Sequence, residues 1–204
     1  MVRAEDTPGA PARRSATDDR SARTRIRDTA LELYSEHGED RVSMRRVAAE
    51  VGVTIGLIQH HFGTKEGLRQ AVDELVVDRV VDALATVEHT GTAEDVVAAR
   101  DAAVRRMMEG DPVLVRYLNR ALLETDGRGA PLLAAIVDLT VREVDQLRRE
   151  GHASTRSSDK VQVVRTLVGQ VGELFLEPVV SAIWDRVGGD PGARPMIRIT
   201  VDEV

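Results

Sequence analysis

From Arg20 onward the apolar residues recur with the 3.6-residue period of a helix. Ile26, Ala30, Leu33 and Tyr34 lie at i, i+4, i+7 and i+8, and Gly38 after His37 supplies a terminus. Ser43 is placed to cap a short helix over 44–51, with Val47, Ala48 and Val51 on one face and Gly52 set to end it in the left-handed conformation. Thr54 caps the next helix, whose Ile58 and Phe62 face inward against Val47 and Val51. Gly63 breaks that helix, and Thr64 caps a long one to about Glu88 with Leu68, Val72, Leu75, Val76 and Leu84 as its stripe.

The rest is expected to be helical too. Thr92 before Glu94-Asp95, Asp111-Pro112 and Pro131 each open a helix, the last ending at Gly151. A further helix covers about 158–176, and Pro178 starts a final one carrying Val179, Val180, Ile183, Trp184 and Val187. The tail "MIRITV" alternates at a period of two, as a strand would. The first 19 residues, rich in Pro, Ala and Arg without periodicity, are expected to be a disordered arm.

Helix, a short turn containing Gly, then a second short helix is the pattern of a helix-turn-helix, and the small Ala48 lets the two helices approach closely. The expected fold class is all-α, with an N-terminal three-helix helix-turn-helix domain and a C-terminal helical bundle. The division is 1–19 arm, 20–66 helix-turn-helix domain, 67–188 bundle and 189–204 tail.

Composition narrows the function. At 204 residues and 42% hydrophobic the chain buries a proper core. Residues 1–22 do not resemble a signal sequence, and no run approaches the roughly 20 apolar residues of a membrane span, so the cytoplasm is the expected address and no membrane partner is expected. The absence of cysteine excludes disulfides, thiolate nucleophiles and sulfur-ligated zinc. A net charge of −6 argues against coating nucleic acid non-specifically. The charge is uneven, however: residues 1–70 carry 12 Lys+Arg against 11 Asp+Glu, and the remainder 16 against 23. A near-neutral module on an acidic body suits local contact with phosphate.

The adjacent His60 and His61 pose the sharpest question. Neighbours on a helix point about 100° apart, and the i+4 partners are Thr64 and Lys65, so no metal site is expected. No nucleophile accompanies them, and no Ser/His/Asp or Cys/His arrangement, paired carboxylates or Gly-rich phosphate loop occurs elsewhere, so no catalytic site and no cofactor are expected. Two solvated histidines are the plain reading. In a helix-turn-helix, though, the second helix enters the major groove, and its outward Ile55, Leu57, Gln59, His60 and His61 would meet base edges and phosphates.

The stretch 42–68, "VSMRRVAAEVGVTIGLIQHHFGTKEGL", resembles the N-terminal DNA-binding domain of TetR/AcrR-family transcriptional regulators, and the likeness runs over roughly residues 22–70. The resemblance implies a repressor that binds a double-stranded DNA operator as a homodimer and responds to a small-molecule effector, here unknown. By position, Ser43 and Arg45 match the family's phosphate-contacting pair. Thr54 with Ile55, Leu57 and Gln59 faces the groove, and His60, His61 and Lys65 match its phosphate clamps. Two residues depart from the pattern: Gln59 stands where the family has Tyr, and Arg46 where it has an acidic residue. Gln59 could read adenine or merely lose a stacking ring; Arg46 could add a phosphate contact or be a solvated charge. Arg13, Arg14, Arg20 and Arg23 could extend into the minor groove or form a solvated tail.

The larger part is expected to dimerise and bind the effector. One stripe of the 158–176 helix is Val161, Val164, Val168, Val171 and Phe175; a second is Val163, Leu167 and Leu174. A helix apolar on two sides must be covered on two sides. One stripe serves the chain's own core or both do; otherwise the other, with Gly169 and Gly172 permitting close approach and with Val180, Ile183 and Trp184, meets a second copy. Candidate effector contacts are Met107, Met108, Arg116, Tyr117, Asn119 and Arg120, with Leu114, Leu118 and Leu122 as further walls. The implied mechanism is a ligand-driven shift of the long helix carrying Leu68, Val72 and Leu75, which alters the spacing of two recognition helices. The rival reading is a helical-bundle small-molecule-binding or interaction protein whose helix-turn-helix has lost DNA binding.

Overall fold

The computed structural model describes residues 11–123, 129–153 and 157–193, together with Pro195, Ile197, Ile199 and Val201. In order these form α1 (Pro11–His37), a 3-10 turn (Glu39–Arg41), α2 (Met44–Val51), α3 (Ile55–Phe62), α4 (Lys65–Ala85), α5 (Ala93–Gly110), α6 (Pro112–Leu123), α7 (Ala130–Arg149), α8 (Asp159–Arg186) and a second 3-10 turn (Pro191–Ala193). The fold is all-α. It divides into two compact units, up to Val72 and from Asp73, so the boundary falls inside α4 rather than at the 66/67 expected.

α1 begins at Pro11, so residues 11–19 are helical and not part of a disordered arm. Periodicity reports an apolar stripe, and the sequence of these residues has none. Proline in the first turn and the good helix formers Ala12, Arg13, Arg14 and Ala16 favour the helix without it. Residues 1–10 lie outside the described part.

In the first unit α1 packs on α2, α3 and the intervening 3-10 turn. Ile26, Ala30, Val42, Val47, Ile58, Leu68 and Val72 are fully buried and Tyr34 nearly so. Each large side chain contributes about 1.5–3 kcal/mol by leaving water. Gly67 allows the first turn of α4 to approach α3 closely, since a Cβ there would overlap the Phe62 carbonyl. The buried Arg69 must be paired, and it is: its guanidinium donates to Glu66 at 2.6 Å and lies 3.8 Å from Glu39. Arg69 in turn holds the Glu66 carboxyl below the usual carboxylate range. Burial, aided by the Glu39 carboxylate, pushes the Tyr34 hydroxyl far above the ordinary phenol value.

In the second unit Thr92 and Asp95 form a capping box on α5, and Asp111 accepts from Leu114 N at 3.0 Å while pairing with Arg79 at 2.7 Å. Two polar links tie the interior. The Tyr117 hydroxyl donates to Asp73 at 2.6 Å, and the buried Arg100 of α5 pairs with Glu143 of α7. α8 lies against α7 and α6 with Val163 and Leu174 buried.

Pro178 does not start a new helix; α8 runs through it. Proline's fixed φ is itself helical, so its cost of about 3 kcal/mol reflects a lost hydrogen bond and a clash rather than a forced change of direction. Averaged over its most apolar stretch, α8 has a mean hydropathy of 1.3, enough by length and composition to cross a membrane, although no strictly apolar run of that length exists. Its Glu173 pairs with Arg105 at 3.2 Å, as on a helix packed against protein.

The alternating tail forms no strand among the described residues. It runs along α8: Arg165 Nε donates to the Val201 carbonyl at 3.0 Å, and Ile199 packs on Gly172, where a Cβ would overlap its side chain. The half-buried alternate residues Ile197, Ile199 and Val201 therefore reflect one face laid on a helix.

Candidate nucleic-acid interface

The two short helices are set by four local devices. Ser43 and Thr54, both extended, accept from the N–H groups of Arg46 at 3.2 Å and Leu57 at 3.3 Å. Gly52 ends α2 in the left-handed conformation at φ 76°, and Gly63 ends α3 at φ 69°. A capping hydroxyl that accepts keeps its own proton to donate, so Ser43 and Thr54 remain competent for phosphate.

The inner faces are Val47, Ala48 and Val51 of α2 and Ile58 and Phe62 of α3, all buried. What remains outward is Ser43, Arg45, Thr54, Ile55, Gln59 and His60, all exposed. Leu57 is half-buried. The arrangement presents a hydroxyl and a guanidinium at the start of α2 beside a row of amide, imidazole and apolar groups on α3. Hydroxyl and guanidinium groups are donors suited to phosphate oxygens, and amide and imidazole groups have the donors and acceptors that base edges offer in the grooves.

Two expected contacts are partly engaged within the chain. Lys65 Nζ donates to the Glu39 carbonyl at 2.7 Å, tying the start of α4 to the 3-10 turn; an ammonium has two further donors to offer. The His61 side chain is only 6% exposed and stands beside Asp19 of α1. Arg46 reaches His37 Nε2 at 2.6 Å, so it is neither simply solvated nor freely presented.

α1 contributes residues that periodicity could not reveal. Arg25 donates to the Val51 carbonyl at 2.8 Å, closing the last turn of α2, and the Arg23 guanidinium lies 5.2 Å from the Phe62 ring centre. Asp19 is the third, and its only sequence signal is its place on a helix that periodicity did not extend so far.

Residues 26–72 match the family model described as bacterial regulatory proteins, tetR family. Over this stretch the chain is similar to the DNA-binding domain of TetR-family regulators. Over 62 residues it is 44% identical to the HTH-type transcriptional regulatory protein RaaS of Mycobacterium tuberculosis, a match covering 30% of this chain and 29% of that relative. A longer likeness, 28% identity over 179 residues, covers 83% of this chain and 84% of the HTH-type transcriptional repressor Rv1474c of the same organism. Among solved structures, a TetR transcriptional regulator from Chloroflexus aurantiacus shares the fold, with a TM-score of 0.66 and 19% identity over 81% of this chain and 88% of its own.

In the second unit the effector candidates scatter. Met107, Met108 and Asn119 are half-buried, Tyr117 is buried against Asp73, and Arg116 and Arg120 are exposed. The Asn119 Oδ1 atom is buried without a hydrogen-bond partner among the described residues. Of the residues expected at a dimer interface, Val164, Val168 and Ile183 are 48%, 41% and 57% exposed, while Val171, Phe175 and Val180 are half-buried. Gly172 instead carries Ile199 of the chain's own tail, and the same tail passes near Gly169. The Trp184 ring packs on Gly189 and its Nε1 donates to the Asp190 carbonyl at 2.9 Å.

Proposed function

We propose that the chain is a homodimeric transcriptional regulator, a repressor released by a small molecule, which binds a near-palindromic operator in the cytoplasm. The observation that carries this reading is the α2–turn–α3 pair, capped at both starts, with Arg45, Gln59 and His60 exposed above a buried seam of Val47, Ile58 and Phe62. Ser43, Arg45, Thr54, His60 and Lys65 position the protein on phosphates, and Ile55, Leu57 and Gln59 meet base edges, whereas the His61 side chain, expected to clamp phosphate as well, is turned inward beside Asp19. Residues 20–66 serve DNA, and 67–188 serve dimerisation and the effector.

Dimerisation is supported by an apolar stripe on α8 left open among the described residues: Val164, Val168, Val179 and Ile183 are each more than 40% exposed. Covering such a stripe with its two-fold mate is how small regulators bring two recognition helices about 34–36 Å apart, one turn of DNA. The effector site is proposed around Met107, Met108, Tyr117 and Asn119, where an unpartnered carbonyl oxygen could accept from a ligand. A ligand would act by preferring one disposition of α4, which belongs to both units.

Selection from a random DNA pool with the purified chain tests the proposal. Enrichment of a near-palindrome with two half-sites one helical turn apart supports it; a pool that enriches nothing over repeated rounds contradicts it.

A further inference from the structure

We propose that Asp19, His60 and His61 form a binding site for a divalent transition-metal ion, linking α1 to the last turn of α3. The three side chains place one ligand atom each within 4.8 Å of one another. Asp19 Oδ1 lies 3.3 Å from His61 Nε2. Ligand atoms on a tetrahedral ion, with bonds of about 2.0–2.2 Å, lie about 3.4 Å apart, so this pair already has the required spacing. The His60 and His61 rings stand with centroids 5.3 Å apart and planes at 62°. His60 is exposed, so rotation about its own side-chain bonds brings its nitrogen in without disturbing the core.

A second observation points the same way. The His61 side chain is 94% buried, and its Nε2 has no hydrogen-bond partner among the described residues. Asp19 is near enough for an ion pair but lacks hydrogen-bond alignment. A buried imidazole nitrogen without a partner costs about 1–3 kcal/mol, and a metal bond aimed at the same lone pair removes that cost. The divergence of adjacent helical residues concerns their Cα–Cβ directions. Imidazole nitrogens lie well beyond Cβ, and Asp19 arrives from a separate helix to complete the set.

The donor set selects the ion. Two imidazole nitrogens and one carboxylate oxygen suit Zn²⁺, Ni²⁺, Co²⁺ or Cu²⁺, whereas Mg²⁺ and Ca²⁺ prefer oxygen throughout. Three protein ligands, two of them exposed, leave a remaining position to water. The binding is thus exchangeable rather than structural, and it depends on deprotonated imidazoles.

The test uses the full chain without a polyhistidine tag, stripped with chelator. Co²⁺ is titrated while its visible absorption is followed, and Zn²⁺ is then added in competition. The expected result is saturation at one ion per chain with tetrahedral-type absorption that Zn²⁺ displaces. Asp19→Asn and His60→Gln change exposed side chains and leave the fold intact by circular dichroism; each should weaken Co²⁺ binding at least tenfold. His37→Gln and His89→Gln should leave it unchanged. Absence of one-to-one uptake, or equal affinity in Asp19→Asn and His60→Gln, would overturn the proposal and leave an ion pair only.

Discussion

The guanidinium of Arg25 donates to the carbonyl of Val51 at 2.8 Å across 26 residues of sequence. One bond thus fastens α1 to the last turn of α2, one residue before the left-handed Gly52 that starts the helix-turn-helix turn. Arg25→Ala is expected to cost about 1–2 kcal/mol, the worth of a charged donor on a helix-terminal carbonyl. Urea unfolding followed by far-ultraviolet circular dichroism checks it; an unchanged midpoint would show that water replaces the guanidinium at no cost.

Gly56 and Gly67 should respond to alanine with opposite signs. At Gly56 a new Cβ meets nothing nearer than Thr54 Oγ1 at 3.9 Å, so Gly56→Ala should stabilise α3 by about 0.5–1 kcal/mol through helix propensity. At Gly67 the Cβ overlaps the backbone carbonyl of Phe62, and Gly67→Ala should destabilise by about 1–3 kcal/mol as α4 moves off α3. Thermal melts of the two variants beside the parent chain decide the matter; a shift of both in the same direction would refute it.

The α5 capping box predicts a pH dependence. The Thr92 backbone N–H at 2.9 Å, then its hydroxyl at 2.7 Å, hold the Asp95 carboxyl below its ordinary value. A lowered folded-state value means stability that is complete above about pH 5 and lost as the pH falls through it. Asp95→Ala should therefore melt below the parent at pH 7, with the gap narrowing toward pH 3. A gap constant across that range would contradict the assignment.

The α8 stripe predicts the assembly. Ile183→Asp places a charge where a second copy is proposed to seat, and Ile183 is 57% exposed in the single chain, so the folded monomer should tolerate it. Light scattering should give the mass of a dimer for the parent and of a monomer for the variant. A variant that remains dimeric would move the interface elsewhere.

Much of this was legible because caps and glycines act locally. Ser43, Gly52, Thr54 and Gly63 mark α2 and α3 in the sequence as they do in space, and Thr92 and Asp111 mark the starts of α5 and α6. The misreadings arose where the deciding term was not local. Residues 11–19 are helical without an apolar stripe; Pro178 is carried inside α8; and the alternating tail lies along that helix instead of entering a sheet. Arg23, Arg25 and Asp19 act through partners at least 26 residues away, which no spacing rule reports. Within the candidate interface, the exposure of Ile55, Gln59 and His60 was readable from amphipathicity, whereas the inward turn of the His61 side chain, the half-burial of Leu57, and the engagement of Lys65 with Glu39 and of Arg46 with His37 were not.

The most direct test of the central claim is the salt dependence of operator binding by fluorescence anisotropy, for the parent chain, Arg45→Ala and Gln59→Ala. Tight parent binding with a steep salt slope is expected. Arg45→Ala should shallow that slope by about one unit and weaken all sequences alike, whereas Gln59→Ala should keep the slope and change which bases are preferred. Binding that ordinary salt abolishes, with both variants indistinguishable from the parent, would contradict the assignment of α2 and α3 as a DNA-reading surface.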